Sequence, residues 1–227
     1  MIVESYIKNN ISRLDSDYHW SMPQDIPADF GVTIDATHSL ADQACQLRHQ
    51  LAARLQNFPA TAEQIVPWYI SVWGGVRGNR TETLREYIRQ VQRVLAGENI
   101  EDWVRARGMQ GIASWSKALS LSDPSRYAIL DARVIMTMNV LLADQEEKFP
   151  WLPSRNKVIV QAQRNFKTDT NRRLTYENYL ETLRRVSGEL PPWRSGHQSS
   201  LCQAEMILFA HAEKQADVFM ASLSGNT

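Results

Sequence analysis

A lysine and an aspartate stand on either side of a short turn in the stretch SWSKALSLSDPSRYAILDARV, residues 114–134. Lys117 lies in an apolar helical run, and Asp131 follows the apolar residues of YAIL at the start of the next predicted helix. A lysine amine can attack a sugar carbon, and a carboxylate can stabilise positive charge that develops beside it. Both residues are also typical of ordinary structure, because aspartate is a common helix N-cap and a lysine can reach solvent from an apolar face.

A glycine-rich passage, WYISVWGGVRGNRTETL, is the second candidate for chemistry. Its glycines, Gly74, Gly75 and Gly78, allow positive φ angles and a close approach of the backbone to a ligand. The helix that follows offers free N–H groups to an anion such as a DNA phosphate, and no Walker motif is present. Candidates for contacts to a phosphate or a base edge are Arg77, Asn79 and Arg80. The alternative interpretation is a tight helix–helix turn with aromatic packing.

The elements that must position these residues are helices. Apolar periodicity predicts a helix from Ser39 to Leu55 and another from Thr81, as N-cap, to a stop at Gly97. Further helices are predicted in DARVIMTMNVLLADQ, in TYENYLETLRRVSG and, as one long helix, in SLCQAEMILFAHAEKQADVFMASL. FGVTIDA is the one short β-like run, and GELPPWRSGHQSS is a predicted loop. The predicted fold class is all-α.

Composition and charge limit the class of protein. The 227 residues are 43% hydrophobic and 22% charged, which suits one compact helical domain or two lobes. Neither a membrane span nor a secretory signal is recognisable, so the expected location is the cytoplasm. The formal net charge of zero is weak grounds against a nucleic-acid partner. However, the first part of the chain is acidic on balance and the last part basic, which is compatible with one positive face.

Cysteines and histidines give no metal signature. Cys45 and Cys202 stand far apart, which excludes an iron–sulfur or zinc-ribbon ligand set and fits a reducing compartment. A disulfide between the two is the alternative. The histidines show no paired ligand spacing. No metal or other cofactor is expected.

Residues 65–140 resemble the helix-hairpin-helix DNA glycosylases, and within them the 8-oxoguanine glycosylase branch. The resemblance rests on Gly-Ile, then Ser-Lys-Ala, a short helix, an X-Pro turn, an apolar triplet and an aspartate. In that family the catalytic lysine follows the hairpin and the catalytic aspartate caps the helix after a turn, positions that Lys117 and Asp131 match. Asn79 in WGGVRGN matches the loop asparagine that enters the duplex at the vacated base. The chain departs from the family in having one hairpin glycine in GIASWSK and a shorter lysine-to-aspartate interval.

The resemblance implies a helical fold with a cleft between two lobes, residues 65–140 in one and the terminal helices in the other. It implies a glycosylase that flips a modified base and leaves an abasic site, either with Schiff-base lyase activity through Lys117 or with water activated by Asp131. The substrate would be an oxidised purine such as 8-oxoguanine or a bulky phage base such as glucosylated hydroxymethylcytosine. The partner would be double-stranded DNA, with no obligate protein partner evident. Besides the pair, the candidate DNA- and base-binding residues are Trp73, Gly74, Gly75, Arg77, Asn79, Arg80, Gly111, Ser114, Trp115, Ser116 and Arg133. Trp68 is a further candidate wall for the base.

Two other classes of protein fit the same residues. A catalytically silent DNA-binding relative would keep the hairpin and a basic face. A helical interaction protein would expose Lys117 and Asp131 at separate places on its surface. A metal-dependent nuclease is the weakest alternative, since paired histidine ligands are missing.

Overall fold

A computed structural model describes residues 2–166, 173–192 and 200–224. Over these ranges the chain is helical and forms no strand, which confirms the predicted all-α class. The α-helices are α1 (Ile2–Asn10), α2 (Leu14–Asp17), α3 (Leu40–Asn57), α4 (Ala62–Trp68), α5 (Thr81–Leu95), α6 (Glu101–Arg107), α7 (Ile112–Ser122), α8 (Ala132–Leu141), α9 (Lys157–Asn165), α10 (Tyr176–Ser187), α11 (Ser200–Ala210) and α12 (Ala212–Ser224). α4 continues into a π-helical turn at Tyr69–Trp73. Single 3-10 turns lie at Ile11–Arg13, Ala28–Phe30 and Pro59–Thr61.

Side chains fix the starts of several helices. Ser39, near which a helix was predicted to begin, is the N-cap of α3 and accepts a hydrogen bond from an N–H in its first turn. A capping box between Thr175 and Asn178 begins α10. α5 begins at Thr81 itself, so the predicted N-cap is one residue off, and Arg80 precedes the helix without a side-chain cap bond. Gly97 follows α5 with a φ of 80°, which confirms the predicted stop.

The short β-like run FGVTIDA forms no strand. Residues 31–36 are irregular, and side chains of α3 bond their backbone. Thr33 donates its N–H to Gln50 (2.8 Å) and accepts from the same amide (2.7 Å). Gln46 accepts the N–H of Asp35 at 3.2 Å. These two glutamines satisfy the backbone groups that a neighbouring strand would otherwise have to bond.

The C-terminal segment forms two helices instead of the one long helix predicted. The division between α11 and α12 falls at His211, whose ring bonds Tyr6 (2.7 Å) and Asp17 (2.8 Å) in the N-terminal helices. The imidazole therefore ties the two ends of the chain together. The predicted loop GELPPWRSGHQSS covers residues 188–200, and its residues 193–199 lie outside the described residues.

α7 lies in the larger of two hydrophobic cores. It packs against α3 and α5, and every residue from 114 to 122 is buried. Helices from both ends of the chain share this core, because α1 packs on α10 and α11. A smaller core joins α8, α9 and α12. Within the described ranges, no helix has the length and apolar character needed to cross a membrane.

Candidate active site

Lys117 and Asp131 face each other where α7 and α8 approach. The lysine Nζ lies 3.5 Å from the aspartate Oδ2. The side chains are 4% and 17% exposed, so their attraction is screened by water less than that of a surface pair. The structure therefore brings together the two groups that the sequence singled out.

Lys117 is held inside the protein by two contacts. Its Nζ donates to the carbonyl oxygen of Ala113, one turn earlier in α7, at 3.1 Å. Its methylene stem packs directly against the backbone of Gly74. The lysine does not reach along the surface to solvent, which was the ordinary alternative for this residue.

Asp131 uses its two carboxylate oxygens differently. Oδ1 accepts the N–H groups of Arg133 (3.0 Å) and Val134 (3.2 Å) and so caps α8. Oδ2 faces the lysine. Asp131 is thus an ordinary N-cap and one member of a buried charged pair at once.

The residues just before Asp131 form a buried extended segment, 127–130. Side chains of α7, α10 and α11 bond its backbone in place of a neighbouring strand. Tyr176 accepts the N–H of Ala128 (3.3 Å) and donates to the carbonyl of the same residue (2.6 Å). The N–H groups of Ile129 and Leu130 donate to Glu205 (2.7 Å) and Ser116 (3.1 Å), and Tyr179 donates to the carbonyl of Ile129 (2.8 Å). The aspartate therefore follows a segment whose buried backbone groups are paired.

A small cavity lies beside the pair, walled by Tyr18, Trp20, Trp73 and Phe209. Trp20 and Phe209 are the half-buried walls, and their rings meet edge to face at 5.4 Å. The indole N–H of Trp20 also donates to the carbonyl of Trp73 at 3.0 Å. The space open to water-sized molecules is about 20 Å³, enough for about one water and far below the roughly 300 Å³ at which ligand pockets begin. A ligand of nucleobase size can enter only if this aromatic wall moves.

A buried ion pair reaches the same cavity and was missed by the sequence analysis. Arg48 on α3 and Glu205 on α11 share two hydrogen bonds of 2.8 and 2.7 Å, and the side chains are 1% and 5% exposed. Burial alone would lower the pKa of Arg48, but its neighbours Cys202 and Glu205 outweigh it, and the pKa lies well above the ordinary value. Glu205 lines the cavity together with Lys117 and Asp131.

A signal for this ion pair exists in the sequence. Arg48 lies on the same face of α3 as the buried residues Ala44, Leu51 and Leu55. A charged residue at such a position indicates a buried partner, because an isolated charge is too costly to bury. The identity of the partner cannot be read locally, since Glu205 is 157 residues away.

The two cysteines lie next to each other beside this ion pair. Both are buried and free, so the structure contains no Cys45–Cys202 disulfide. A hydrogen bond to Cys202, together with burial, raises the pKa of Cys45 well above its ordinary value. The Cys45 thiol is therefore a poor nucleophile.

The glycine-rich loop, residues 74–80, runs from the cavity to the start of α7. Gly74 lines the cavity. Gly75 and Gly78 have φ angles of 66° and 89°, a conformation that favours glycine. The glycines thus serve the turn, which was the alternative interpretation, and one of them also touches Lys117.

The far end of this loop meets α7 through a side-chain hydrogen bond. Ser114 donates its hydroxyl to Oδ1 of Asn79 at 3.1 Å. Arg77 and Arg80 are exposed on the same loop. Gly111, also exposed, precedes α7 with a φ of 69°. The Ser114–Asn79 bond therefore joins the loop that carries the two arginines to the start of α7.

Three other candidates have structural contacts. Trp115 is fully buried, packs edge-on against Trp103 and Tyr176, and does not line the cavity. Ser116 bonds the extended segment. Arg133 is paired with Glu213 at 2.8 Å.

Of the two other tryptophans proposed as walls for the base, one lines the cavity and one does not. Trp73 lines the cavity and stacks on Tyr69, with ring centroids 4.4 Å apart. Trp68 packs instead against Phe30, edge to face at 5.3 Å. Trp73 is therefore the one of the three proposed tryptophan walls that the structure brings to the pair.

No cluster of three or more metal-ligating side chains occurs among the described residues. Comparison of the chain with protein-family models, curated proteins and solved structures gave no match.

Proposed function

We propose that this protein is a DNA glycosylase that flips a modified base out of the duplex and cleaves its N-glycosidic bond. The observation that carries the proposal is the buried Lys117–Asp131 pair, 3.5 Å apart at an aromatic-walled cavity. Residue types, order and setting agree with the resemblance to helix-hairpin-helix glycosylases found in residues 65–140.

The chemistry follows from the two charged groups. As the bond between C1′ and the base breaks, its electron pair leaves with the base, which takes up a proton, and positive charge develops on the sugar. The Asp131 carboxylate stabilises that charge electrostatically. In its neutral form the amine of Lys117 can attack C1′ and lose one proton. The C1′–O4′ bond then opens, O4′ takes up a proton, and a protonated Schiff base forms between Lys117 and C1′. Loss of a C2′ proton from this adduct then expels the 3′-phosphate. In a glycosylase without lyase activity, water would take the place of the amine.

The loop of residues 74–80 and the start of α7 are the proposed contact with duplex DNA. Arg77 and Arg80 are exposed there and can neutralise phosphates. Asn79 is the proposed filler of the gap left by the flipped base. Its bond to Ser114 must open or rearrange for that role.

Two substrate classes fit this chemistry. One is an oxidised purine such as 8-oxoguanine, in a repair role. The other is glucosylated hydroxymethylcytosine of phage DNA, in a cytoplasmic phage-defence role, and the compact chain and diverged hairpin favour it. The small cavity does not distinguish the two substrates, since either base must displace the aromatic wall to enter it.

The test is base release from a panel of DNAs. Duplexes with 8-oxoguanine and glucosylated phage DNA would be incubated with the wild type, Asp131→Asn and Lys117→Gln, and abasic sites scored by alkali-induced breakage. Release that Asp131→Asn abolishes supports the proposal. No release from any substrate, with DNA binding intact, would replace it by a catalytically silent DNA-binding protein.

The silent DNA-binding function is favoured by one observation, the cavity of about 20 Å³, which holds no base as it stands. A helical interaction protein has less support. It would expose Lys117 and Asp131 separately, whereas the side chains are 4% and 17% exposed and contact each other.

A further inference from the structure

We propose that Glu205, held by Arg48, is the positioning residue for Asp131. The inference rests on the proposed glycosylase function and adds to it a group that acts through the position of Asp131. It connects α3 and α11 to the aspartate through the extended segment 127–130.

The connection begins at the N–H of Ile129. Glu205 accepts it with Oε2 at 2.7 Å, two residues before Asp131. The hydrogen bond is charge-assisted, and such bonds are shorter and stronger than bonds between neutral groups. Ile129 is buried, so its N–H depends on this acceptor inside the protein. A shift of this amide would move the aspartate relative to Lys117.

Arg48 in turn fixes Glu205. Its guanidinium donates to both carboxylate oxygens, at 2.8 and 2.7 Å, and its Nε donates to the Tyr69 hydroxyl at 3.1 Å. A planar fork with two parallel bonds allows one orientation of the carboxylate. Tyr69 stacks on Trp73, a wall of the cavity. The same arginine thus lies behind both the aspartate and the aromatic wall.

A positioning role gives a reason for a charged pair at this place. Burying two charges seldom stabilises a protein more than well-packed apolar side chains do. The carboxylate here supplies an acceptor that an apolar side chain could not. Glu205 and Asp131 line the same cavity. Because Arg48 balances the charge of Glu205, Asp131 does not face a second, uncompensated anion there.

The experiment compares two double variants that both remove the buried charges. Arg48→Met with Glu205→Gln retains a neutral acceptor for the Ile129 N–H, whereas Arg48→Met with Glu205→Met retains none. Thr137→Val is the matched control, because it removes an equally buried bond, from Thr137 to the Leu208 carbonyl, between α8 and α11. For each protein we would measure kcat and KM for base release and the hydrogen exchange of residues 127–131.

We expect the variant with Arg48→Met and Glu205→Met, called Met/Met, to lose about 100-fold in kcat with KM nearly unchanged. A misplacement of a catalytic group by about 1 Å produces an effect of this size. The variant with Arg48→Met and Glu205→Gln is called Met/Gln. The amides of Met/Met in 128–130 should exchange faster than those of Met/Gln, which should retain most of kcat. The control should resemble the wild type in both measurements. Equal kcat or equal exchange in the two double variants would overturn the proposal.

The exchange measurement does not depend on catalysis. If the wild type releases no base from any DNA, the proposed function fails, and with it any effect of Glu205 on a reaction. Faster exchange in Met/Met alone would then still establish that Glu205 orders the segment. Failure of the function and failure of the positioning are therefore distinguishable.

Discussion

Gly74 and Lys117 approach so closely that no side chain fits between them. A Cβ at residue 74 would lie 2.6 Å from both Cδ and Cε of the lysine, and 2.9 Å from the carbonyl oxygen of Ile70. The φ of Gly74 is −81°, so the glycine is required by this contact and not by its backbone conformation.

Gly74→Ala should therefore displace Lys117. We expect base release to fall by about 100-fold and the free energy of unfolding to fall by about 1–3 kcal/mol, as for other overpacked sites. Gly188→Ala is the matched control, because nothing lies within 4 Å of a Cβ there. Single-turnover rates and thermal unfolding would be measured on both. Wild-type rates in Gly74→Ala would show that the lysine position does not matter.

Asp131→Asn should separate capping from catalysis. Both Asp131→Asn and Asp131→Ala leave the buried Lys117 without its partner and should lower the stability for that shared reason. Asparagine caps helices about as well as aspartate, so Asp131→Ala should cost about 1 kcal/mol more than Asp131→Asn. Base release should fall roughly 100-fold or more in both variants, because each loses the negative charge beside the sugar. Asp123→Asn, on the turn before the extended segment, is the control carboxylate. If Asp131→Asn kept its rate, the charge would have no catalytic role.

Lys117→Gln should abolish covalent trapping. Borohydride added during reaction with a cleavable DNA should link wild-type protein to the strand at Lys117, as identified by mass spectrometry. Lys157→Gln, which changes an exposed lysine at the start of α9, should trap like the wild type. Base release without any trapped adduct in the wild type would identify an enzyme that uses water, with no lyase step.

The contact between the chain ends should depend on pH through Asp17. Burial raises the pKa of Asp17, but hydrogen bonds from His211 and Ser16 and the charge of Arg13 outweigh it, and the pKa lies below its ordinary value. Because the folded-state pKa is lowered, the stabilisation is complete above the unfolded-state value of about 3.9 and is lost as the pH falls below it. The melting temperature of the wild type should thus exceed that of Asp17→Asn at pH 6, and the gap should narrow by pH 3. A gap that stayed constant would exclude Asp17 as the titrating group.

Helices and their caps could be predicted because their signals are local. The start of α8 depends on Asp131 and two N–H groups within three residues. The glutamines that replace a strand beside residues 31–36 act from another helix, so FGVTIDA looked like a strand when taken alone.

The candidate site was predictable only in part. The resemblance selected Lys117 and Asp131, but it also selected Trp115, which suits a ligand wall and a core equally well until its neighbours are known. The partnership of Arg48 with Glu205 is decided by the packing of α3 against α11, residues 157 apart in sequence. Such pairs need the tertiary structure.

The burial of Lys117 also bears on the chemical durability of the protein. Reactive aldehydes and acylating metabolites modify amines that they can reach, whereas the side chain of Lys117 is 4% exposed and lies beneath Gly74 and behind an aromatic wall. In the resting protein the amine is shielded from such adducts, whereas exposed lysines such as Lys157 are not. Under the proposed glycosylase function, the same enclosure would protect the catalytic amine from such adducts between encounters with DNA.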